Sequence, residues 1–131
     1  MRDITKNFGR NAGKIWTALN VHGPLKRSSL IKETRLKEND FYAGLGWLAR
    51  ENKIYKNSQA YELKETNLTS KIGADAGKVW SLLNSQGKCN VSNIAKITKI
   101  KIQDAYSALG WLAREDKIRI SKGRQINYVL K

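Results

Sequence analysis

The sequence predicts an α+β protein, mainly α, built from two copies of one module. The first observation is a heptapeptide, LGWLARE, which occupies 45–51 and returns at 109–115, 64 positions later. The same offset relates Trp16 to Trp80, and about half of the aligned positions around them are identical. The second observation is that helical spacing gives way to strand-like alternation in each copy.

The first copy contains three predicted helices and a hairpin. From Asn7 onward, apolar residues that include Trp16 recur at helical spacing and predict the first helix. Gly23-Pro24 ends that helix. In order, we expect a helix from Asn7 to before Gly23, a short extended segment at 25–27, a helix over 29–34 capped by Ser28, a turn at 35–36, a helix over 37–51, and strands at 54–56 and 60–63.

The second copy repeats this order. Its expected elements are helices over 72–83, 92–97 and 101–115 and strands over 118–120 and 126–130. The turn of its hairpin, 121–125, is longer and more basic than that of the first copy. We therefore expect a first module at 1–63, a polar linker at 64–70 and a second module at 71–131.

Three helices followed by a β-hairpin are the winged helix-turn-helix pattern. The predicted fold is thus two tandem winged helix-turn-helix modules. A module of about 60–65 residues has a marginal core when alone. We expect the two to pack on each other as a pseudo-symmetric pair.

Three strings in the sequence resemble a known family. AGKIW at 12–16, LGWLARENKI at 45–54 and LGWLAREDKI at 109–118 resemble a winged helix-turn-helix family of short bacterial and archaeal proteins with no assigned function. Members of that family often consist of one module and are thought to self-associate. The resemblance implies the fold and supplies no catalytic or ligand residues.

The charge of the chain predicts a polyanionic partner. The sequence has 25 basic and 11 acidic residues, a net charge of +14, and the excess is spread over both copies. A pI near 10.1 is the electrostatic footprint of a nucleic-acid binder.

Cys89 is the single cysteine, which excludes an internal disulfide and suits a reducing compartment. With no membrane-length apolar run or signal-peptide core, we expect a cytoplasmic protein, nucleoid-associated if prokaryotic.

The residues of common catalytic and metal sites are not grouped in this sequence. His22 is the only histidine, and Cys89 lacks a ligand partner at metal-binding spacing. No phosphate loop or nucleophile elbow is present. We predict no enzymatic activity, no catalytic residues, no metal and no cofactor.

The third helix would present an unusual surface to DNA. Opposite its core face lie an aspartate, small residues, a tryptophan and one arginine, which suit close helix packing better than base reading. We predict that the third helices of the two copies, or of two chains, pack through Ala43, Trp47, Arg50, Ser107, Trp111 and Arg114. The alternative is that both indoles fold back into the cores of their own modules.

Binding would then use other basic surfaces, around the second helices and on the second hairpin. The candidates are Lys26, Arg27, Lys32, Arg35, Lys37, Lys88, Lys96, Lys99, Lys101, Lys117, Arg119, Lys122 and Arg124. Lysines dominate, and they contact phosphate as point charges without reading base edges.

The leading functional hypothesis is a double-stranded DNA-binding protein with weak sequence preference, either chromatin-like and architectural or a transcription regulator. RNA or ribosome association is an alternative that exposed Tyr55 and Tyr61 would support by stacking on bases. The third hypothesis is a protein-interaction scaffold, built on the paired winged helices, that binds an acidic protein. We expect an internal pseudo-dimer in a monomeric chain, with a further dimer left open.

Overall fold

The computed structural model describes residues 4–121 and 123–131, apart from the side chain of Ile4. The described residues form six helices and five strands. In chain order these are α1 (Ile4–His22), α2 (Arg27–Thr34), α3 (Glu38–Arg50), β1 (Ile54–Lys56), β2 (Tyr61–Leu63), α4 (Thr69–Gln86), β3 (Lys88–Asn90), α5 (Val91–Thr98), α6 (Ile102–Arg114), β4 (Ile118–Ser121) and β5 (Asn127–Leu130). The fold is two tandem winged helix-turn-helix units, as the sequence predicts.

The caps of the second helices differ from the prediction. Ser28 lies inside α2, and the residue at the N-cap is Lys26, whose side chain makes no capping hydrogen bond. In α5 the cap is Asn90, whose side chain accepts a hydrogen bond from the backbone N–H of Asn93 at 2.8 Å. The expectation for Ser28 was wrong because the helix starts one residue before it.

The second copy contains a strand that the sequence pattern does not reveal. β3 pairs antiparallel with β5, so the sheet has the order β3-β5-β4. In the first copy the equivalent contact is a single bridge between Leu25 and Tyr61, beside the β1–β2 hairpin. Three residues carry too little alternation to predict a strand, and pairing with a distant hairpin creates it.

Each copy contributes a residue to the core of the other. Phe8 of α1 is 2% exposed and packs in the cluster formed mainly by α4, α5 and α6. Its equivalent Ile72, at the start of α4, packs in the cluster of the first copy. Because the first helices cross over in this reciprocal way, the two cores are completed only when both copies are present.

Trp16 and Trp80 lie outside the cores. Their exposed fractions are 40% and 39%, whereas Ile15 is fully buried. The sequence pattern counted Trp16 among the apolar residues at helical spacing in the first helix. Successive helical residues are about 100° apart, so with Ile15 pointing inward Trp16 lies at the edge of the apolar face.

Candidate nucleic-acid interface

The third helices of the two copies, α3 and α6, pack directly on each other. A Cβ atom at Gly46 would lie 1.8 Å from the carbonyl oxygen of Ser107, and one at Gly110 would lie 1.8 Å from that of Ala43. The Ser107 hydroxyl donates a hydrogen bond to the carbonyl of Tyr42 at 3.1 Å. Only glycine permits such an approach of the two backbones.

Both indoles of the repeated heptapeptide are half-buried at this contact. Trp47 covers Gly9 of its own first helix, where a Cβ atom would lie 2.9 Å from the ring. The guanidinium of Arg114 lies over Trp47 at 5.9 Å from the ring centroid. Trp111 has the equivalent position, with Arg50 over it at 5.7 Å. Each indole therefore contacts both its own first helix and the other copy.

Two ion pairs link the two copies at the C-terminal ends of α3 and α6. Arg50 Nε lies 3.1 Å from Glu115 Oε2, and Arg114 Nε lies 3.0 Å from Glu51 Oε2. The leucines and alanine of the same heptapeptide are buried in the two cores. Every residue of LGWLARE thus serves the core or the pairing of the copies. Sequence reasoning had not assigned Gly46, Gly110 and the two glutamates to this contact.

The contacts also show that the paired helices run parallel. Residues in the first halves of the two helices meet, since the Ser107 hydroxyl donates its hydrogen bond to the carbonyl of Tyr42. Asp40 of α3 also contributes to the raised pKa of Tyr106 in α6, after the larger effect of burial. Late residues meet late ones, as with Arg50 and Glu115. The N-termini of α3 and α6 therefore lie at the same end of the helix pair, and so do the turns that lead into them.

In each copy we name the segment that contains the second helix, this turn and the start of the third helix. It is the first corner (24–39) in the first copy and the second corner (88–103) in the second copy. Arg35 and Lys99 end α2 and α5 in the left-handed backbone conformation, with φ of 57° and 60°. Lys37 and Lys101 are the N-cap residues of α3 and α6. The same fold geometry thus places one cation after the second helix and one before the third in both copies.

The first turn of each third helix stays accessible while the remainder of the paired face is covered. Lys37 and Glu38 are exposed, as are Lys101 and Ile102, whereas Ala43 is fully buried. In an ordinary helix-turn-helix the third helix lies in the major groove. Here its central face packs against protein, while its N-terminal turn remains exposed.

All the predicted nucleic-acid residues within the described ranges are exposed. Two of them are ion-paired: Arg27 with Glu38 at 2.9 Å, and Lys117 with Glu115 at 3.5 Å. The others have no ion pair with any described residue. Lys122 lies outside the described residues.

The hairpins stand next to the corners. In the first copy a cleft between the hairpin tip and the start of α2 is lined by Lys26, Arg27 and Lys56. In the second copy the side-chain amide of Asn90 donates a hydrogen bond to Gln125 at 3.2 Å, which ties the hairpin to the start of α5. Hairpin and corner therefore form one continuous surface in each copy.

The acidic residues near this end are mostly engaged. Asp104 lies 3.4 Å from the ammonium of Lys71. The pKa of Lys71 is raised, mainly by its hydrogen bond to Asp75. His22 is the last residue of α1. It is exposed, and its ring lies 3.4 Å from the carboxylate of Glu33.

No cluster of described residues could hold a metal ion. Among the described helices, none is long and apolar enough to cross a membrane.

The tyrosines proposed for base stacking are poorly placed for it. Tyr61 is 4% exposed and meets Phe41 edge-on. Tyr55 is half-buried, and the ammonium of Lys64 covers its ring at 4.1 Å. Trp16 and Trp80 are the more exposed aromatic side chains.

Paired third helices, exposed basic corners and two hairpins define a tandem winged helix-turn-helix protein whose third helices are used for internal pairing. The chain belongs to the winged helix-turn-helix domain family DUF2582, whose model matches it twice, at residues 1–65 and 64–131. An uncharacterised protein of Methanocaldococcus jannaschii is 39% identical over 62 residues, which cover 43% of this chain and 83% of that protein. No solved structure matches the chain.

Proposed function

We propose that the protein is a non-enzymatic DNA-binding protein that contacts the duplex backbone with weak sequence preference, in a chromatin-like or regulatory role. The observation that carries the proposal is the parallel pairing of α3 and α6. In that arrangement the N-caps Lys37 and Lys101 lie at the same end of the helix pair, and the central faces of both third helices are covered. A polyanion spanning that end would be contacted by both copies at once.

Charge supports a phosphate-bearing partner at that end. The first corner carries five cations and two acids, and the second carries four cations and no acid. Most of these cations are lysines without a described ion-pair partner, so they are free to neutralise phosphates and release counterions. Backbone contact of this kind gives affinity without a base-specific pattern. In a cell such a protein would act in the cytoplasm, at the nucleoid in a prokaryote.

RNA binding is a second candidate, which the exposed indoles of Trp16 and Trp80 favour. Trp80 lines an open cleft together with Lys117. Aromatic rings beside cations are the usual platform for unpaired bases. The first helices, not the corners, would then form the binding surface.

One titration separates these functions. Binding of labelled duplex DNA, structured RNA and single-stranded RNA is measured by fluorescence anisotropy across a salt series. The DNA proposal predicts a duplex preference, with the logarithm of affinity falling by about 0.9 per phosphate contact per decade of salt. RNA preference would support the second candidate. Absence of binding to any nucleic acid near physiological salt would contradict both and favour a protein-interaction scaffold.

Matched variants locate the surface. Lys37→Gln with Lys101→Gln removes two equivalent charges at the corners, and Lys14→Gln with Lys78→Gln removes two equivalent charges on the first helices. We expect the corner variant to lose about 10-fold or more in duplex affinity and to lower the salt slope by about 1 to 2, depending on whether one or both lysines contact phosphate. We expect the first-helix variant to bind within about 2-fold of the wild type. The reverse order would contradict a corner site.

A further inference from the structure

The two copies have diverged at the surface where a duplex would dock. In the first corner Glu38 occupies the first position of α3, where it pairs with Arg27 at 2.9 Å. The equivalent positions in the second copy are Ile102 and Val91. Glu33 is likewise replaced by Ile97. Both acids of the first corner are therefore absent from the second, together with the ion pair that neutralises Arg27.

The hairpins differ in the same direction. The segment 53–63 of the first copy has two cations and one acid, whereas 117–130 of the second has four cations and no acid. One of those four, Lys117, is held by Glu115 at 3.5 Å, and Arg119 and Arg124 are exposed without a described ion-pair partner. Corner and hairpin of the second copy are joined by the hydrogen bond from Asn90 to Gln125. The second copy thus presents the larger uncompensated positive surface.

The second corner also exposes an apolar side chain where a helix-turn-helix touches bases. Ile102 is the first residue of α6, is 42% exposed, and directly follows the N-cap Lys101. N-terminal residues of the third helix are those that contact base edges in the major groove. The apolar feature of that groove is the C5-methyl group of thymine. At the equivalent position of the first copy, the carboxylate of Glu38 would enter the same groove and be repelled by the phosphates on either side of it.

We propose that the second copy is the main duplex-docking module, and that Ile102 contacts thymine methyl groups in the major groove while the surrounding lysines hold the backbone. The first copy mainly supplies the paired helix that fixes α6. This inference rests on the proposed DNA-binding function and assigns it an asymmetric site. The protein would bind any duplex, with a preference for thymine at the position facing Ile102.

The asymmetry is tested with equivalent charge removals in the full chain. Lys99→Asn with Lys101→Gln alters the second corner, and Arg35→Asn with Lys37→Gln alters the first. Asparagine is chosen because it tolerates the left-handed backbone at 35 and 99. We expect about a 10-fold or larger loss of duplex affinity for the second-corner variant and less than about 3-fold for the first. Equal losses, or a larger loss at the first corner, would overturn the asymmetry while leaving DNA binding intact.

The base contact is tested by replacing thymine with deoxyuridine throughout the duplex, which removes only the methyl groups. We expect wild-type affinity to fall about 3- to 4-fold, the effect of losing one buried methyl contact. Ile102→Ala should bind both duplexes equally, and Ile97→Ala, which removes an isoleucine of similar exposure on the α4–α5 groove, should keep the difference. Equal wild-type affinity for the two duplexes would reject the Ile102 contact. Failure of the wild type to bind either duplex would instead reject the proposed function.

Discussion

Gly46 packs against Ser107 so closely that a Cβ atom at position 46 would lie 1.8 Å from the Ser107 carbonyl oxygen. The obstacle is backbone on a buried helix, so it cannot move aside as a flexible side chain would. The equivalent relationship between Gly110 and Ala43 makes the contact reciprocal. The duplicated LGWLARE string is therefore best understood as a helix-pairing sequence.

Alanine at Gly46 should separate the paired helices. We expect Gly46→Ala to lower the free energy of unfolding by at least about 3 kcal/mol, because α3 and α6 must move apart. Urea denaturation measures the change. Gly13→Ala is the control, since nothing lies within 4 Å of a Cβ atom there. That variant should gain up to about 1 kcal/mol from better helix propensity. Unchanged stability of Gly46→Ala would contradict the close approach.

The crossed first helices should make the two copies unfold together. Phe8→Ala removes a buried ring from the core of the second copy, and we expect a loss of about 3–5 kcal/mol. Tryptophan fluorescence and far-UV circular dichroism should report one coincident transition in the wild type and in this variant. Val21→Ala, at a 69% exposed position, is the control and should change stability by less than about 0.5 kcal/mol. Two separate transitions would show that the copies are independent domains.

The reciprocal ion pairs should contribute modestly. The side chains of Arg50 and Glu115 are 46% and 17% exposed, so solvent screens their attraction. A double-mutant cycle with Arg50→Gln and Glu115→Gln should give a coupling energy of about 0.2–1 kcal/mol that shrinks at high salt. The cycle on Arg114 and Glu51 should give the same value within error. A coupling near zero in both would mean that the indoles and glycines alone maintain the pairing.

Stability should fall at alkaline pH because Tyr61 is buried. Burial raises the pKa of its phenol to about 12 from 10.0. A raised folded-state pKa means that the full stability is present below pH 10, where both states are protonated. Between pH 10 and about 12 the unfolded chain loses its proton first, and up to about 3 kcal/mol is lost. Tyr61→Phe should lose less stability over that range, and identical pH profiles for the two proteins would contradict this assignment.

The sequence was sufficient for the fold because its signals are local and occur twice. Helical spacing gave three helices per copy, and turn residues such as Asn57 and Ser58 marked the first hairpin. What it could not give depended on contacts between distant segments. β3 forms because β5 lies beside it, and Ser28 fails as a cap because α2 starts earlier.

The candidate site was only partly accessible to sequence reasoning. The odd surface of the third helix indicated a contact between helices, but not its parallel direction or the position of Gly46 at the crossing. A glycine inside a strong helical pattern is the signal that could have suggested it, because it costs about 1 kcal/mol relative to alanine. The contrast between Glu38 and Ile102 is visible in the alignment of the copies. Its meaning depends on knowing that this turn stays exposed.

The central claim is that α3 and α6 remain paired while the end formed by the corners meets DNA. Its most direct test is an amide-resolved NMR titration of the 131-residue chain with a short duplex. The account predicts chemical-shift changes concentrated at 96–102 and 119–126, smaller changes at 32–38, and unchanged signals for the indole N–H groups of Trp47 and Trp111. Large shifts at 43–50 and 107–114 would show that the duplex opens the pair and reads DNA with the third helices, which would contradict it.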